Sequence, residues 1–254
     1  MDETLKNSII HWLKGRVDAV GFAPVDRFDG APEAHHPSRV CKGAKTVVVF
    51  GRLMPRAVLS SPDYELYLLH RSYHTLYTYL DQVGLDLSNF IETQGYPAVQ
   101  IPGFAPLVFR GMESWGIISL KHAAVAAGLG AFGRNGVVYH PEYASFLRFG
   151  AVITAAELPG DPLIEEDPCP TDCRACLDTC PAGAFRDGSF QKLACTAHTI
   201  RHGIYPLALR DEAAMKNIQT IINTAGYNYW LRCDECLKVC PNNRGGTRTS
   251  EKRS

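Results

Sequence analysis

No apolar run in this 254-residue chain approaches the roughly 20 residues that a membrane-spanning helix needs, so no membrane partner is expected. Nor is there an excess of charge of either sign. Lys+Arg and Asp+Glu each number 26, which gives no global reason to expect a nucleic acid or a membrane surface. The opening MDETLKNSIIHWLKGR has early acids and only a short apolar stretch, and it reads as an amphipathic helix where a secretory signal would need a basic start. Internal repeats are absent apart from one paired cysteine pattern. Nine cysteines is an odd number for a disulfide scaffold, in a chain much longer than such scaffolds usually are. A reducing cytoplasm fits better, and there clustered thiols read as metal ligands.

What the sequence does have is a concentration of those thiols near one end. The first group is Cys169-x3-Cys173-x2-Cys176-x3-Cys180-Pro181, and the second is Cys195 followed by Cys233-x2-Cys236-x3-Cys240-Pro241. A cubane [4Fe-4S] cluster needs four thiolates around a small cage. Close spacing lets one loop supply three corners, and a remote cysteine closes the fourth. In two-cluster ferredoxins the cysteine before Pro ligates the other cluster. Applied here, one cluster takes Cys169, Cys173, Cys176 and Cys240, and the other takes Cys195, Cys233, Cys236 and Cys180. All eight thiolates are then used. Cys169-x3-Cys173 is one residue longer than the bacterial spacing. Structural zinc is the alternative for paired cysteines. Cys41 stands alone in a loop and reads as a spectator.

Elsewhere, Leu5, Ile9, Trp12 and Leu13 share a helical face, and residues 20–25, 46–50 and 149–155 read as short strands. Residues 29–43 are a loop by composition. Residues 65–92 carry apolar positions at helical spacing, with Gly84 as a break or kink, and residues 119–127 read as a helix stopped by Gly128. Met215, Ile218, Ile221 and Ile222 fit a helix between the cysteine groups. Alternating strands and helices argue for an α+β fold with α/β-like character. The expected division is 1–160 for a cofactor- and substrate-binding domain, 161–243 for a ferredoxin-like module with two [4Fe-4S] clusters, and 244–254 for a polar tail. Gly128-Leu129-Gly130-Ala131-Phe132-Gly133 matches a dinucleotide fingerprint literally, but that mechanism needs a strand before the glycines and a helix after them. Here a helix precedes, so the glycines read as a tight loop that lets a flat cofactor or another chain segment approach closely.

The stretch AVAAGLGAFGRNG, continued by a strand and the first cysteine group, resembles the epoxyqueuosine reductase family. So do Tyr73-His74 within HRSYHTLYTYL, the strand KTVVVFGRLMP and the second cysteine group CDECLKVCP. The family has a corrinoid-binding domain, similar in fold to flavin nitroreductases and cobalamin-processing proteins, and two [4Fe-4S] clusters. Its members reduce an epoxide on a modified tRNA base. The resemblance implies an N-terminal corrinoid/nitroreductase-like domain, with Gly128, Gly130, Gly133 and Arg134 near a corrinoid rim and Tyr73 and His74 lining the pocket. Family enzymes also have a catalytic Asp just before the helix that leads into the glycine loop. Here that region reads GMESWGIISLKHAAV, with Glu113 and Ser114 in its place. The family's C-terminal helical-repeat domain is not in this sequence.

The resulting expectation is a cytoplasmic reductase that takes single electrons from an external ferredoxin or flavodoxin. Two [4Fe-4S] clusters pass them to cobalamin or another corrinoid, which reduces an electrophilic small molecule or nucleoside. Glu113, Tyr73 and His122 are the candidate proton donors by residue type. Tyr73 reads equally well as core, and His74, Lys121 and His122 as solvated helix residues. With balanced charge and no basic footprint, tRNA is expected to be an unlikely partner. The alternatives are a ferredoxin-like electron carrier for a partner enzyme, and a flavin-linked reductase with FMN in place of the corrinoid.

Overall fold

The computed structural model describes residues 1–104, 107–110, 113–186, 189–202, 229–231 and 233–244. Helix α1 (Glu3–Leu13) starts at Asp2, whose Oδ1 accepts from the Leu5 amide at 2.8 Å and satisfies one of the open donors of the first turn. Leu5, Ile9 and Leu13 are spaced by four and all buried. The chain continues through β1 (Ala19–Pro24), β2 (Thr46–Leu53), α2 (Glu65–Thr93), β3 (Ala98–Ile101), and the antiparallel pair β4 (Val108–Arg110) and β5 (Glu113–Trp115). Then come α3 (Leu120–Ala126), the short pair β6 (Ala131–Phe132) and β7 (Val138–Tyr139), and β8 (Leu147–Thr154).

Four strands form one sheet in the order β1-β2-β8-β3, and every pairing is antiparallel. The fold is therefore α+β, since parallel crossover units are absent from this sheet. All eight residues of β8 are buried, because both faces of the sheet are covered. Along β2, Val48 and Phe50 join Leu5, Ile9, Leu80, Leu87 and Ile91 of α1 and α2. Val47 and Val49 point the other way and join Ala123, Ala124 and Ala127 of the α3 region. Two covered faces explain why the strand reads TVVVF with no alternation.

The expected break at Gly84 does not occur. α2 runs unbroken for 29 residues, and Gly84 is where it lies closest to the sheet. A Cβ there would sit 3.4 Å from Gln100 Cβ and 3.6 Å from the Phe50 ring. The helix accepts a propensity cost of about 1 kcal/mol at glycine in exchange for that approach. The 29–43 loop contains two 3₁₀ turns, Glu33–His35 and Pro37–Arg39, and buries Cys41 in the core. Burial pushes the Cys41 thiol up.

After β8 the chain is tied back to β1. Asp161 accepts from the Phe22 amide at 3.0 Å and from Lys6 Nζ at 2.6 Å. The cysteine-rich part follows as α4 (Ala175–Asp178), β9 (Phe185–Arg186), β10 (Ser189–Phe190), α5 (Lys192–Thr199), β11 (Ile200–His202), β12 (Tyr229–Leu231), α6 (Glu235–Lys238) and α7 (Pro241–Arg244). The helix expected around Met215, Ile218, Ile221 and Ile222 lies outside the described residues. Among the described residues no helix is long and apolar enough to cross a membrane.

Candidate redox site

Two one-turn helices organise the cysteines. Cys176 sits in α4 and Cys236 in α6, with Cys173 and Cys233 just before them and Cys180 and Cys240 just after. α4 packs on α6, and this contact carries each final cysteine to the opposite group. Cys176 feels the charge of Cys240, Cys169 and Cys173. Cys236 feels Cys195 and Cys233, then Cys176 and last Cys180, and Cys195 feels Cys180. Cys176 belongs to the first group, so the two groups are neighbours. Burial, then the adjacent thiols, push Cys236 up to about 12. Burial raises Cys176, Cys195 and Cys233 as well. Thiols so placed ionise only with compensating positive charge beside them, which is the donor chemistry of a metal cluster. Among the described residues no three His, Cys, Asp or Glu side chains converge as the ligands of one metal ion.

Backbone amides serve two of the sulfurs. Arg134 N donates to Cys169 Sγ and Ala184 N to Cys180 Sγ, each at 3.4 Å. Such bonds tune cluster potential. The Arg134 guanidinium also donates to the Cys173 carbonyl, so this residue attends the first cysteine group. The three loop glycines do not line a cofactor cavity. A Cβ at Gly128 would lie 2.2 Å from the Pro162 carbonyl, and one at Gly130 would lie 2.5 Å from that of Tyr139. A Cβ at Gly133 would lie 2.5 Å from the Tyr139 ring. The close approach read from the sequence is thus made by this chain's own segments. No helix follows the glycines, since a turn and β7 do, and the dinucleotide reading fails.

Tyr139 was not singled out by its sequence context. It is buried, its hydroxyl accepts from Asn135 Nδ2 at 3.0 Å, and it meets the Cys240 thiol. Burial, then Cys240, raise its pKa well above the usual phenol range, so it stands beside the cysteines as a protonated donor.

A cavity of about 930 Å³ lies between the sheet and the second cysteine group. Tyr73, Glu113 and His122 line it, as do Cys233 and Asp234. His74 does not; it lies behind on α2, with its ring 4.6 Å from that of His70. Much of the wall is aromatic. Tyr73 stacks on Tyr77 and Tyr77 on Phe104, each with centroids 6.0 Å apart, and His35 stacks on Trp115 at 5.0 Å. Burial pushes Tyr77 up to about 12. Lys192 holds its ammonium 4.4 Å from the Trp115 ring centre and donates to the Ser114 carbonyl. Lys121 and His122 are exposed, and both line the cavity. Desolvation by its walls lowers the pKa of both. His122 Nδ1 is 2.7 Å from Ser119 Oγ, the cap of α3. Glu113 is close enough to Lys192 to oppose the fall that burial imposes on the lysine.

Arg148, on β8, is the lining residue that sequence reading missed. It is only 8% exposed. Nη1 donates to the Ser145 and Leu147 carbonyls at 2.9 and 2.7 Å, and Nη2 donates to the Tyr73 hydroxyl. The one available signal was a charge inside the otherwise apolar run FLRFGAVI.

Comparison with known proteins bears on these features in turn. The family described as a 4Fe-4S double cluster binding domain matches residues 169–243. An epoxyqueuosine reductase from Staphylococcus aureus (strain NCTC 8325 / PS 47) is 27% identical over 259 residues, covering 90% of this chain and 62% of the relative. The structure of epoxyqueuosine reductase from Streptococcus thermophilus aligns with a TM-score of 0.58 at 22% identity, over 95% of this chain and 66% of that one. This chain therefore spans slightly under two thirds of the length of these relatives. A third similar structure, of an epoxyqueuosine reductase with a tRNA-Tyr epoxyqueuosine-modified tRNA stem loop, aligns at 21% identity with a TM-score of 0.57.

That last relative overturns the expectation that tRNA is an unlikely partner. The inference from zero net charge failed because net charge averages over the whole surface, and the relative with this fold is seen with an RNA stem loop. The family resembled in sequence, the epoxyqueuosine reductases, is the one to which this chain's relatives in sequence and fold belong, and residues 169–243 match the 4Fe-4S double cluster binding domain.

Proposed function

We propose that the chain is an iron–sulfur reductase that delivers single electrons to its aromatic cavity and there removes an epoxide oxygen from a modified nucleoside of tRNA. The observation that carries this reading is continuity: Cys233, a ligand in the second cysteine group, and Asp234 line the same space as Tyr73, Glu113 and His122. In this reading Cys169, Cys173, Cys176 and Cys240 hold one [4Fe-4S] cluster, and Cys180, Cys195, Cys233 and Cys236 hold the other. Residues 1–160 form the substrate- and cofactor-binding part and residues 161–243 the electron-relay part. An external ferredoxin or flavodoxin is the electron source.

The cavity also suits a corrinoid. Its volume of about 930 Å³ is at the upper end of cofactor sites, and its aromatic walls match a flat macrocycle. A corrinoid bound there supplies a strongly reducing, nucleophilic centre. Converting an epoxide to an alkene and water consumes two electrons and two protons. The clusters supply the electrons one at a time, and the protein supplies the protons. Tyr73 is well placed for one, because its oxygen already accepts from Arg148. Its own hydrogen is free to be given, and the guanidinium steadies the phenolate left behind. Glu113 and His122 are the other donors on the cavity wall.

The test is anaerobic purification with iron and sulfide analysis, a spectrum after incubation with cobalamin or FMN, and an assay on an epoxyqueuosine-containing tRNA stem loop. Two clusters, corrinoid bands and formation of the deoxygenated nucleoside are expected. Zinc without labile sulfide, or loaded clusters with no turnover of the stem loop, would refute the reading.

A further inference from the structure

Four cations line the cavity, Arg27, Lys121, Arg148 and Lys192, against two carboxylates, Glu113 and Asp234. Among the described residues none of the four is ion-paired. They donate to neutral oxygens instead. Arg27 donates to the carbonyls of Ala126 and Asp161 at 2.6 and 2.8 Å, and Lys121 to that of Gly136 at 2.8 Å. Lys192 donates to the Ser114 carbonyl. Of the two acids, Asp234 faces Lys238 at 3.4 Å, and Glu113 acts on Lys192, so neither is assigned to Arg148.

Arg148 is the most demanding of the four, since it is 8% exposed on an inner strand. A guanidinium cannot shed its proton and so cannot escape the cost of burial by becoming neutral. It has five N–H donors, and two carbonyls and one phenol take three of them. Two donors and a full charge remain beside a cavity with no acid assigned to them. Packing alone does not require this, because an apolar side chain fills an inner-strand position without the desolvation cost.

We infer that Arg148 anchors a phosphate subsite within the cavity. A guanidinium fork matches a phosphate in both geometry and charge, and Lys121 and Lys192 make the same space favourable to an anion. The inference rests on the proposed function only for taking this cavity as the ligand site, and it adds the ligand class. The phosphate is either that of the nucleotide substrate or the phosphodiester of a corrinoid side chain.

Calorimetric titration of the anaerobic, cluster-loaded protein separates the two sources. Guanosine 5′-monophosphate is compared with guanosine, and cobalamin with cobinamide, which lacks the phosphate tail. In one pair the phosphate-bearing probe should bind roughly ten- to a hundred-fold more tightly, the range for a charged hydrogen-bonding contact. Inorganic phosphate should compete. Arg148→Met should abolish the difference and Arg148→Lys should retain part of it. No phosphate preference in either pair, or a preference that survives Arg148→Met, overturns the subsite. If Arg148→Met fails to fold, as judged by cluster absorbance, wild-type crystals soaked in tungstate decide. Tungstate within hydrogen-bond reach of Arg148 supports the subsite, and tungstate absent from the cavity overturns it. Binding is read without turnover. Phosphate preference with no reduction therefore defeats the proposed function alone, and reduction with no preference defeats the subsite alone.

Discussion

The Tyr73 hydroxyl accepts a hydrogen bond from Arg148 Nη2, and the same guanidinium lies 4.3 Å from the centre of the Tyr73 ring. The pair joins the long helix α2 to strand β8 at the cavity wall. It makes the phenol more than a packing group: its oxygen is held by a cation while its hydrogen is free.

Tyr73→Phe keeps the ring and its stack on Tyr77 but removes the proton and the acceptor. Turnover should fall by about 10²-fold or more, the lower range for loss of a general acid. The cluster spectra should stay unchanged. Single-turnover reduction of the stem loop by pre-reduced protein makes the measurement, and an unchanged rate removes Tyr73 from the chemistry.

Glu113 lines the cavity beside Ser114 and is one of its two carboxylates. Glu113→Gln is nearly isosteric and removes only the ionisable group. It should lower turnover about tenfold or more while both cluster signals persist. If the rate holds, the proton comes from Tyr73 or His122.

The crossed thiol grouping has a spectroscopic consequence. Cys240→Ser and Cys176→Ser should alter the same paramagnetic signal of the reduced protein, and Cys180→Ser and Cys236→Ser should alter the other. Electron paramagnetic resonance on the four variants reads this directly. A pattern in which Cys180 goes with Cys176 would reverse the assignment.

His140 provides a pH effect with a definite sign. Its Nδ1 accepts from the amides of Glu142 and Tyr143 at 3.1 and 3.3 Å, and burial lowers its pKa below the usual 6.5. The unfolded chain therefore binds this proton more readily than the folded one. The histidine's contribution is complete above about pH 6.5 and is lost as pH falls through the lower folded value. Apparent melting temperature should drop as the pH is taken below about 6.5. His140→Asn keeps an acceptor without a titrating ring and should flatten that drop.

Much of the scaffold was legible because its signals are periodic. Leu5, Ile9 and Leu13 mark α1, and the unbroken TVVVF marks a strand covered on both faces. Short elements carried less signal. β3 is four residues long, with Val99 exposed and Gln100 beside it, and it is a strand only because the distant β8 offers an edge. Gly84 shows the limit of reading composition locally, because a glycine states that something comes close without saying what. The loop of Gly128, Gly130 and Gly133 repeats the point: the closeness is real, and the neighbours are Pro162 and Tyr139. The cysteine module was readable from spacing, since ligand geometry constrains sequence directly. Arg148 and Tyr139 were hidden because their roles come from partners far along the chain.

The contact of α4 with α6 also bears on how the molecule holds together. With Cys240 beside Cys176 and Cys180 beside Cys236, each metal centre, on the proposed ligand assignment, is a staple between segments about 60 residues apart. By the loop-entropy model that describes disulfides, closing one loop of that size stabilises the folded chain by about 4 kcal/mol, and the second closure, nested beside the first, adds less. On that assignment iron is structural cement for the cysteine-rich part of the protein as well as its wiring. A chelator or a burst of oxygen should loosen the cysteine-rich part first and leave the antiparallel sheet, which has its own core, standing without its electron supply.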